Sequence, residues 1–281
     1  MGPKSNVTQS SRRARWHGSA AAMAGVFALV AACAPSTQSA NAQPAGGPPD
    51  AGQQGAAPET DMYGQNGNLK ILVWRADPSG APGPAVVFFH GGGYSAGDAS
   101  QFSQMCAELA QQAITCASAD YTLSSGDQQV FEAKEAVTWL REHGAQLHIN
   151  PDRVFVGGGS AGGYLALSTA LINPQRTSMP AGLILLNPGF AAQPPGPTEN
   201  LQDDLRNRLP PTIWFHGTAD TTVPYAGAQA FVGAARSAGS PVDLESYPGR
   251  QHGFFNYARG NRNPDFNTVT TRVIQFIKST S

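Results

Sequence analysis

Val154-Phe155-Val156-Gly157-Gly158-Gly159-Ser160-Ala161-Gly162-Gly163-Tyr164-Leu165-Ala166-Leu167 is the stretch that decides how this chain is read. An apolar run enters a glycine cluster with one serine at its centre, and a helical stretch opens directly after it. Strand, glycine-flanked serine and helix start make the G-x-S-x-G turn known as a nucleophile elbow. The turn is too tight for side chains at Gly158 and Gly162. It holds the Ser160 hydroxyl at the carboxyl end of a strand, with the positive end of a helix dipole behind it. A purely structural glycine turn is the alternative, and partners elsewhere in the chain decide between the two.

A serine hydroxyl is a weak nucleophile until a base takes its proton, and the base must be oriented by an acid. Where this elbow occurs, the acid and then the histidine follow it, each on a loop after a later strand. The candidate strand Thr212–Phe215 is followed by His216-Gly217-Thr218-Ala219-Asp220, and Val242–Tyr247 by Pro248-Gly249-Arg250-Gln251-His252-Gly253. Asp220 and His252 therefore fall on consecutive strand-end loops. Asp203, Asp204 and Glu245 compete for the acid role. Neither aspartate follows a strand in this way, and Glu245 falls inside one.

A tetrahedral intermediate needs hydrogen-bond donors for its oxyanion. His90-Gly91-Gly92-Gly93-Tyr94, after the candidate strand Ala85–Phe89, offers backbone N–H groups clear of side chains, and Ala161 N–H adds another. Tyr94 is a candidate pocket residue because it follows those glycines. Phe190, Tyr225, Phe254 and Phe255 fit either pocket or core. His90 and His216 read as structural ties. No His, Cys, Asp or Glu cluster has metal-ligand spacing, and no lysine follows Gly163 as a phosphate loop requires, so neither metal nor cofactor is expected.

From Leu69 onward apolar runs alternate with helical patterns, which predicts a mostly parallel sheet with helices on both faces. The remaining expected strands are Leu69–Arg75, Thr115–Ser118, Val154–Val156 and Leu183–Leu186. Helices are expected over Ser100–Gln112, Gln128–His143, Ala161–Leu171, Tyr225–Ala238 and Asn267–Ser279. The fourth shows Ala226, Ala230, Phe231 and Ala234 on one face. The Pro- and Gln-rich connection from Gly189 to Pro210 is where a lid would be inserted, and its shortness predicts an open site.

The chain of 281 residues opens with Lys4, Arg12, Arg13 and Arg15, then a short apolar stretch closed by Leu29-Val30-Ala31-Ala32-Cys33. That order reads as an export signal over residues 1–32, since a membrane helix needs about 20 apolar residues. The cysteine suits a bacterial lipobox, with Cys33 lipidated after cleavage; an ordinary signal peptide with a chance cysteine is the alternative. A membrane contact through that lipid, on the periplasmic side or at the cell surface, is the expected partner. Residues 33–61, rich in Ala, Pro, Gly and Gln, read as a flexible tether, and 62–281 as the folded domain. The whole chain has 18 Lys+Arg and 19 Asp+Glu; without the four basic residues of the signal the formal charge is −5 (14 against 19), which argues against a nucleic-acid partner. Cys106 and Cys116, on a helix and the following strand, form a feasible disulfide for an exported protein; two buried thiols are the alternative.

Taken together, His90-Gly91-Gly92-Gly93-Tyr94 with Gly97-Asp98, Asp120-Tyr121, Gly158-Gly159-Ser160-Ala161-Gly162-Gly163, His216-Gly217-Thr218-Ala219-Asp220 and His252-Gly253-Phe254 resemble the α/β-hydrolase esterases of the hormone-sensitive-lipase-like type. The likeness is stronger to their small bacterial acetyl-esterase and feruloyl-esterase-like relatives, and it runs from about residue 62 to the C-terminus. The resemblance implies Ser160 as nucleophile, Asp220 as acid and His252 as base. It assigns the oxyanion hole to the N–H groups of Gly92, Gly93 and Ala161, with Gly91 shaping the turn. Thr122 stands where relatives often carry arginine, and the N-terminal cap helices of many relatives have no counterpart. The expectation is a serine carboxylesterase for short acetyl- or feruloyl-like esters. A peptidase of the prolyl-oligopeptidase type shares the elbow and the order of partners but normally carries a large propeller, for which the 249 residues after position 32 leave no room. A non-catalytic surface lipoprotein that binds a ligand is the third alternative.

Overall fold

Along Gly83–Phe89, Val86 and Phe88 face one side of a sheet and Ala85, Val87 and Phe89 the other, and all five are fully buried. Both faces of the strand are covered, so it reads as a continuous apolar run rather than an alternation. The structure, a computed structural model, describes residues 57–124, 127–172, 179–191, 197, 199–258 and 263–280. They all belong to the compact unit Gly46–Ser281. The expected export signal, Cys33 and residues 33–56 of the expected tether lie outside the described residues.

The strands are β1 (Glu59–Tyr63), β2 (Leu69–Trp74), β3 (Gly83–Phe89), β4 (Thr115–Ala119), β5 (Ile149–Gly159), β6 (Leu183–Leu186), β7 (Thr212–Gly217) and β8 (Val242–Tyr247). They form one eight-stranded sheet in the order β1-β2-β4-β3-β5-β6-β7-β8. β1 and β2 are antiparallel to their neighbours, and β4, β3, β5, β6, β7 and β8 run parallel. The helices are α1 (Ser103–Ala110), α2 (Gln128–Glu142), α3 (Gly144–Leu147), α4 (Ala161–Leu171), α5 (Tyr225–Ser237) and α6 (Pro264–Ser279). α2, α4 and α5 cover one face, packing on Val87, Val156, Leu185 and Trp214. α1 and α6 cover the other, packing on Phe88, Phe155, Ile184 and Phe215. This is the α/β-hydrolase fold: a mostly parallel sheet with helices on both faces.

α6 shows how the sequence builds such an element. Asn263 caps it by accepting the Asp265 N–H, and Pro264 fills the first turn, where its missing N–H costs nothing. Phe266, Val269, Val273 and Ile277 then recur at helical spacing and are all buried. α1 is fixed to the sheet by a Cys106–Cys116 disulfide, with a Cα separation of 5.0 Å.

Several expectations change. The folded part begins before residue 62, because Glu59–Asp61 belong to β1 and pair with Ile71–Val73 of β2. The helix expected over Ser100–Gln112 is a 3-10 turn, Ala99–Phe102, followed by the shorter α1. β5 starts five residues earlier than the Val154–Val156 core. The buried face of α5 is Ala228, Phe231, Val232 and Ala235, while Ala226 and Ala230 are exposed. Phe231 and Val232 orient the helix, and alanine carries too little apolar area to compete with them.

Candidate active site

β5 ends in the elbow, and Ser160 there has φ 53 and ψ −117, a left-handed backbone that a non-glycine residue adopts only when its surroundings enforce it. The enforcement is steric. A Cβ on Gly162 would lie 2.0 Å from the Phe89 carbonyl oxygen, and one on Gly158 would lie 2.3 Å from the Gly162 carbonyl oxygen. β3, β5 and α4 therefore touch backbone to backbone. Ser160 N–H donates to the Leu186 carbonyl at the end of β6 (3.0 Å), and the Ser160 carbonyl accepts the Gly189 N–H (2.8 Å).

The loops after β6, β7 and β8 meet at the same edge. His252 Nδ1–H donates to Asp220 Oδ2 at 2.7 Å, with the Asp220 side chain wholly buried and that of His252 23% exposed. Asp220 Oδ1 accepts the N–H groups of Thr222 and Val223, both at 2.9 Å. Asn187, fully buried with φ 46, donates its side-chain amide to Asp220 Oδ2. Burial alone would raise the Asp220 pKa, but the bonds from His252, Val223 and Asn187 outweigh it and hold the carboxyl below its ordinary value. Asp220 is thus an anion with four donors on it. Asn187 had no signal in the sequence pattern, because its role depends on a partner 33 residues away.

His216 lies beneath this pair. Its Nδ1 accepts the Trp214 indole N–H (3.0 Å), and its Nε2–H donates to the Val223 carbonyl (2.9 Å). Burial pushes its pKa below the ordinary histidine value, so the ring is a neutral strut under the Asp220 loop.

The glycine loop after β3 is held by neutral groups. His90, buried, bonds through Nδ1–H to the Gly91 carbonyl (2.7 Å) and stacks on Tyr121, whose hydroxyl donates to the His90 carbonyl (2.9 Å). Thr122 is fixed by the buried Glu132, which accepts its N–H (2.8 Å) and its hydroxyl (2.5 Å). The Gly91 N–H is occupied by Gln101 Oε1 at 2.7 Å. Among the described residues no hydrogen bond is drawn from the N–H groups of Gly92, Gly93 or Ala161. These three donors are available to an oxyanion; that of Gly91 is not.

Tyr94, the candidate pocket residue, packs inward. Its left-handed backbone (φ 62) turns the ring into the core, 6% exposed and edge-on to Tyr164 at 6.3 Å. Phe255 is buried against Phe102, and Phe190 packs on Trp214 and Phe231. In the connection from Gly189 to Pro210, the described part includes a 3-10 turn, Leu201–Asn207, tied back to α4 by Tyr164 OH to the Glu199 carbonyl and Asn207 to the Leu171 carbonyl. Asp220 and His252 are in direct contact. Ser160 shares their edge and reaches them through the β6 end, and among the described residues no hydrogen bond joins its hydroxyl to His252.

Comparisons with known proteins follow the same division. Residues 86–208, with Ser160, match the family described as alpha/beta hydrolase fold, and residues 190–277, with Asp220 and His252, match the prolyl oligopeptidase family. Esterase LipQ of Mycobacterium tuberculosis is 25% identical in an alignment 244 positions long that covers 71% of this chain and 58% of that protein. Carboxylic ester hydrolase LipN of the same organism is 27% identical, over 70% of this chain and 64% of that protein. The chain thus spans about three fifths of the length of these curated relatives. Among solved structures, esterase 2 of Thermogutta terrifontis phosphoramylated by tabun superposes with a TM-score of 0.72 at 29% identity, covering 80% of this chain and 96% of that one. Its butyrate-bound form gives 0.71 at 30% identity, covering 79% and 94%. With fold, elbow and strand-end loops in place and a solved esterase matched at 30% identity over nearly its whole length, this chain belongs to the α/β-hydrolase family.

Proposed function

We propose that the protein is a serine carboxylesterase acting on short-chain esters through an acyl-enzyme. The observation that carries this reading is the Asp220–His252 pair, 2.7 Å apart, on the sheet edge where the elbow presents Ser160. The Ser160 hydroxyl attacks the ester carbonyl while the outer ring nitrogen of His252 takes its proton, and anionic Asp220 stabilises the imidazolium through Nδ1–H. Gly92, Gly93 and Ala161 N–H groups receive the oxyanion. His252 returns the proton to the departing alcohol, and water, activated by the same ring, releases the acid. Two solved forms of the Thermogutta terrifontis esterase carry butyrate and propionate, which supports acyl groups of that size; acetyl and feruloyl esters of sugars or plant polymers are the natural candidates.

The prolyl-oligopeptidase match over residues 190–277 favours a second reading, a serine peptidase. One experiment separates them: hydrolysis of p-nitrophenyl esters from acetate to dodecanoate, beside a proline-containing peptide amide, with Ser160→Ala as control. Activity that falls steeply beyond butyrate and vanishes in Ser160→Ala is the expected result. Amide turnover alone supports the peptidase. Failure of a fluorophosphonate to label the protein leaves a ligand-binding lipoprotein. Export and lipidation at Cys33 belong to the same proposal, supported by the basic and apolar order of residues 1–33. Incorporation of labelled palmitate, lost in Cys33→Ser, is the expected outcome.

A further inference from the structure

We infer that Gln101 is a positioning residue that ties the oxyanion loop to the histidine loop; the inference rests on the hydrolase reading above. Its side-chain amide is used in both directions. Oε1 accepts the Gly91 N–H at 2.7 Å, and Nε2–H donates to Asn256 Oδ1 at 2.8 Å. Because a backbone N–H can only donate, the orientation of the amide is fixed, and its NH₂ must face Asn256.

Both ends of this tie are anchored. Gln101 sits in the 3-10 turn Ala99–Phe102, capped by Asp98 Oδ1 on the Ser100 N–H (2.7 Å). The Ala99 N–H donates to Asp120 Oδ1, and the Phe102 ring stacks on Phe88 at 4.7 Å. Asn256 lies four residues after His252, and its N–H closes a turn onto the Gly253 carbonyl at 3.0 Å. Asn263, the cap of α6, donates to the carbonyls of Phe254 (2.7 Å) and Asn256 (2.5 Å). The amide therefore joins two loops that share no other side-chain hydrogen bond among the described residues. With the Gly91 N–H taken by Gln101, the next two peptides are left to present their donors.

Asparagine is one methylene too short to span the gap, and methionine fills the same volume without donating or accepting. The test is Gln101→Met and Asn256→Ala, singly and together, in the full chain with p-nitrophenyl butyrate, beside wild type and Ser160→Ala. For Gln101→Met, kcat falls about tenfold or more with KM within about twofold, since misplacement by about 1 Å can cost as much as 10² in rate. The double variant is no worse than Gln101→Met alone, because one link is cut twice. Hydrogen exchange gives a readout independent of activity: Asn256→Ala, a change on the histidine loop, accelerates exchange across His90–Gly97. Full kcat in Gln101→Met, multiplying losses in the double variant, or unchanged exchange at His90–Gly97 would overturn the tie. A wild-type protein silent on every ester would instead overturn the esterase reading, while the exchange result still decides the tie.

Discussion

The two arms that flank Ser160 are built on opposite principles. The arm after β6, β7 and β8 fixes one carboxylate with four donors and rests on a neutral buried histidine. The arm after β3 carries no charge at its centre: the groups proposed to work there are backbone N–H donors, on a loop held by a stacked His90–Tyr121 pair and the Gln101 amide. In the mechanism proposed here, the first arm works through its side chains. In the second, side chains only shape a main chain, so harm comes from atoms added as much as from atoms removed.

Asp220→Asn breaks the charged arm at its centre. kcat should fall about 10⁴-fold with the circular dichroism spectrum unchanged, because the neutral amide no longer holds the productive tautomer of His252. A loss below tenfold would shift the chemistry away from this arm. Gly92→Ala attacks the neutral arm by addition. Its φ of 115 is closed to alanine, and the new Cβ would lie 2.0 Å from the Ala96 carbonyl oxygen. A kcat about 10²–10³-fold lower, the cost of one misplaced oxyanion donor, is expected from steady-state kinetics. Asn187→Ala removes one of the four donors to Asp220, and kcat/KM should drop about tenfold, the scale of a hydrogen bond to a charged group. Equal kcat/KM in the variant would mean that three donors suffice.

The smallest effect separates the arms by pH. His90 and His216, one under each arm, have pKa values lowered by burial. The unfolded chain takes up their protons at about pH 6.5, before the folded one does, so stability is full above that value and declines as pH falls toward the folded-state values. The melting temperature should therefore drop on titration below about 6.5. His216→Gln should flatten part of that slope, and an unchanged slope would assign it to the other arm.

What could be read from the sequence followed local pattern. β6 and β8 have the bounds expected from their residues, and α4 begins and ends where the elbow and its small residues put it. β1 escaped because four of its five residues, Glu59 to Met62, are exposed, so a strand at the sheet edge carries neither an apolar run nor an alternation. Asn187 and Gln101 escaped for another reason. Each is an ordinary polar residue whose meaning comes from a partner 33 or 155 residues away. For Tyr94, position after the glycines suggests the pocket but gives no sign of the backbone turn that packs its ring edge-on to Tyr164.

The backbone contact at the elbow also governs how this protein tolerates change. A methyl group on Gly157 would sit 2.5 Å from the Phe88 ring, and one on Gly163 at the same distance from Pro188 Cβ, in line with the still closer contacts at Gly158 and Gly162. By contrast, Gly233 on α5 has nothing within 4 Å of a new Cβ. A library of random variants should accordingly be depleted of every substitution at the four elbow positions while Gly233 accepts most residues. New specificities would then have to be selected in the loops around the elbow, never in the turn itself.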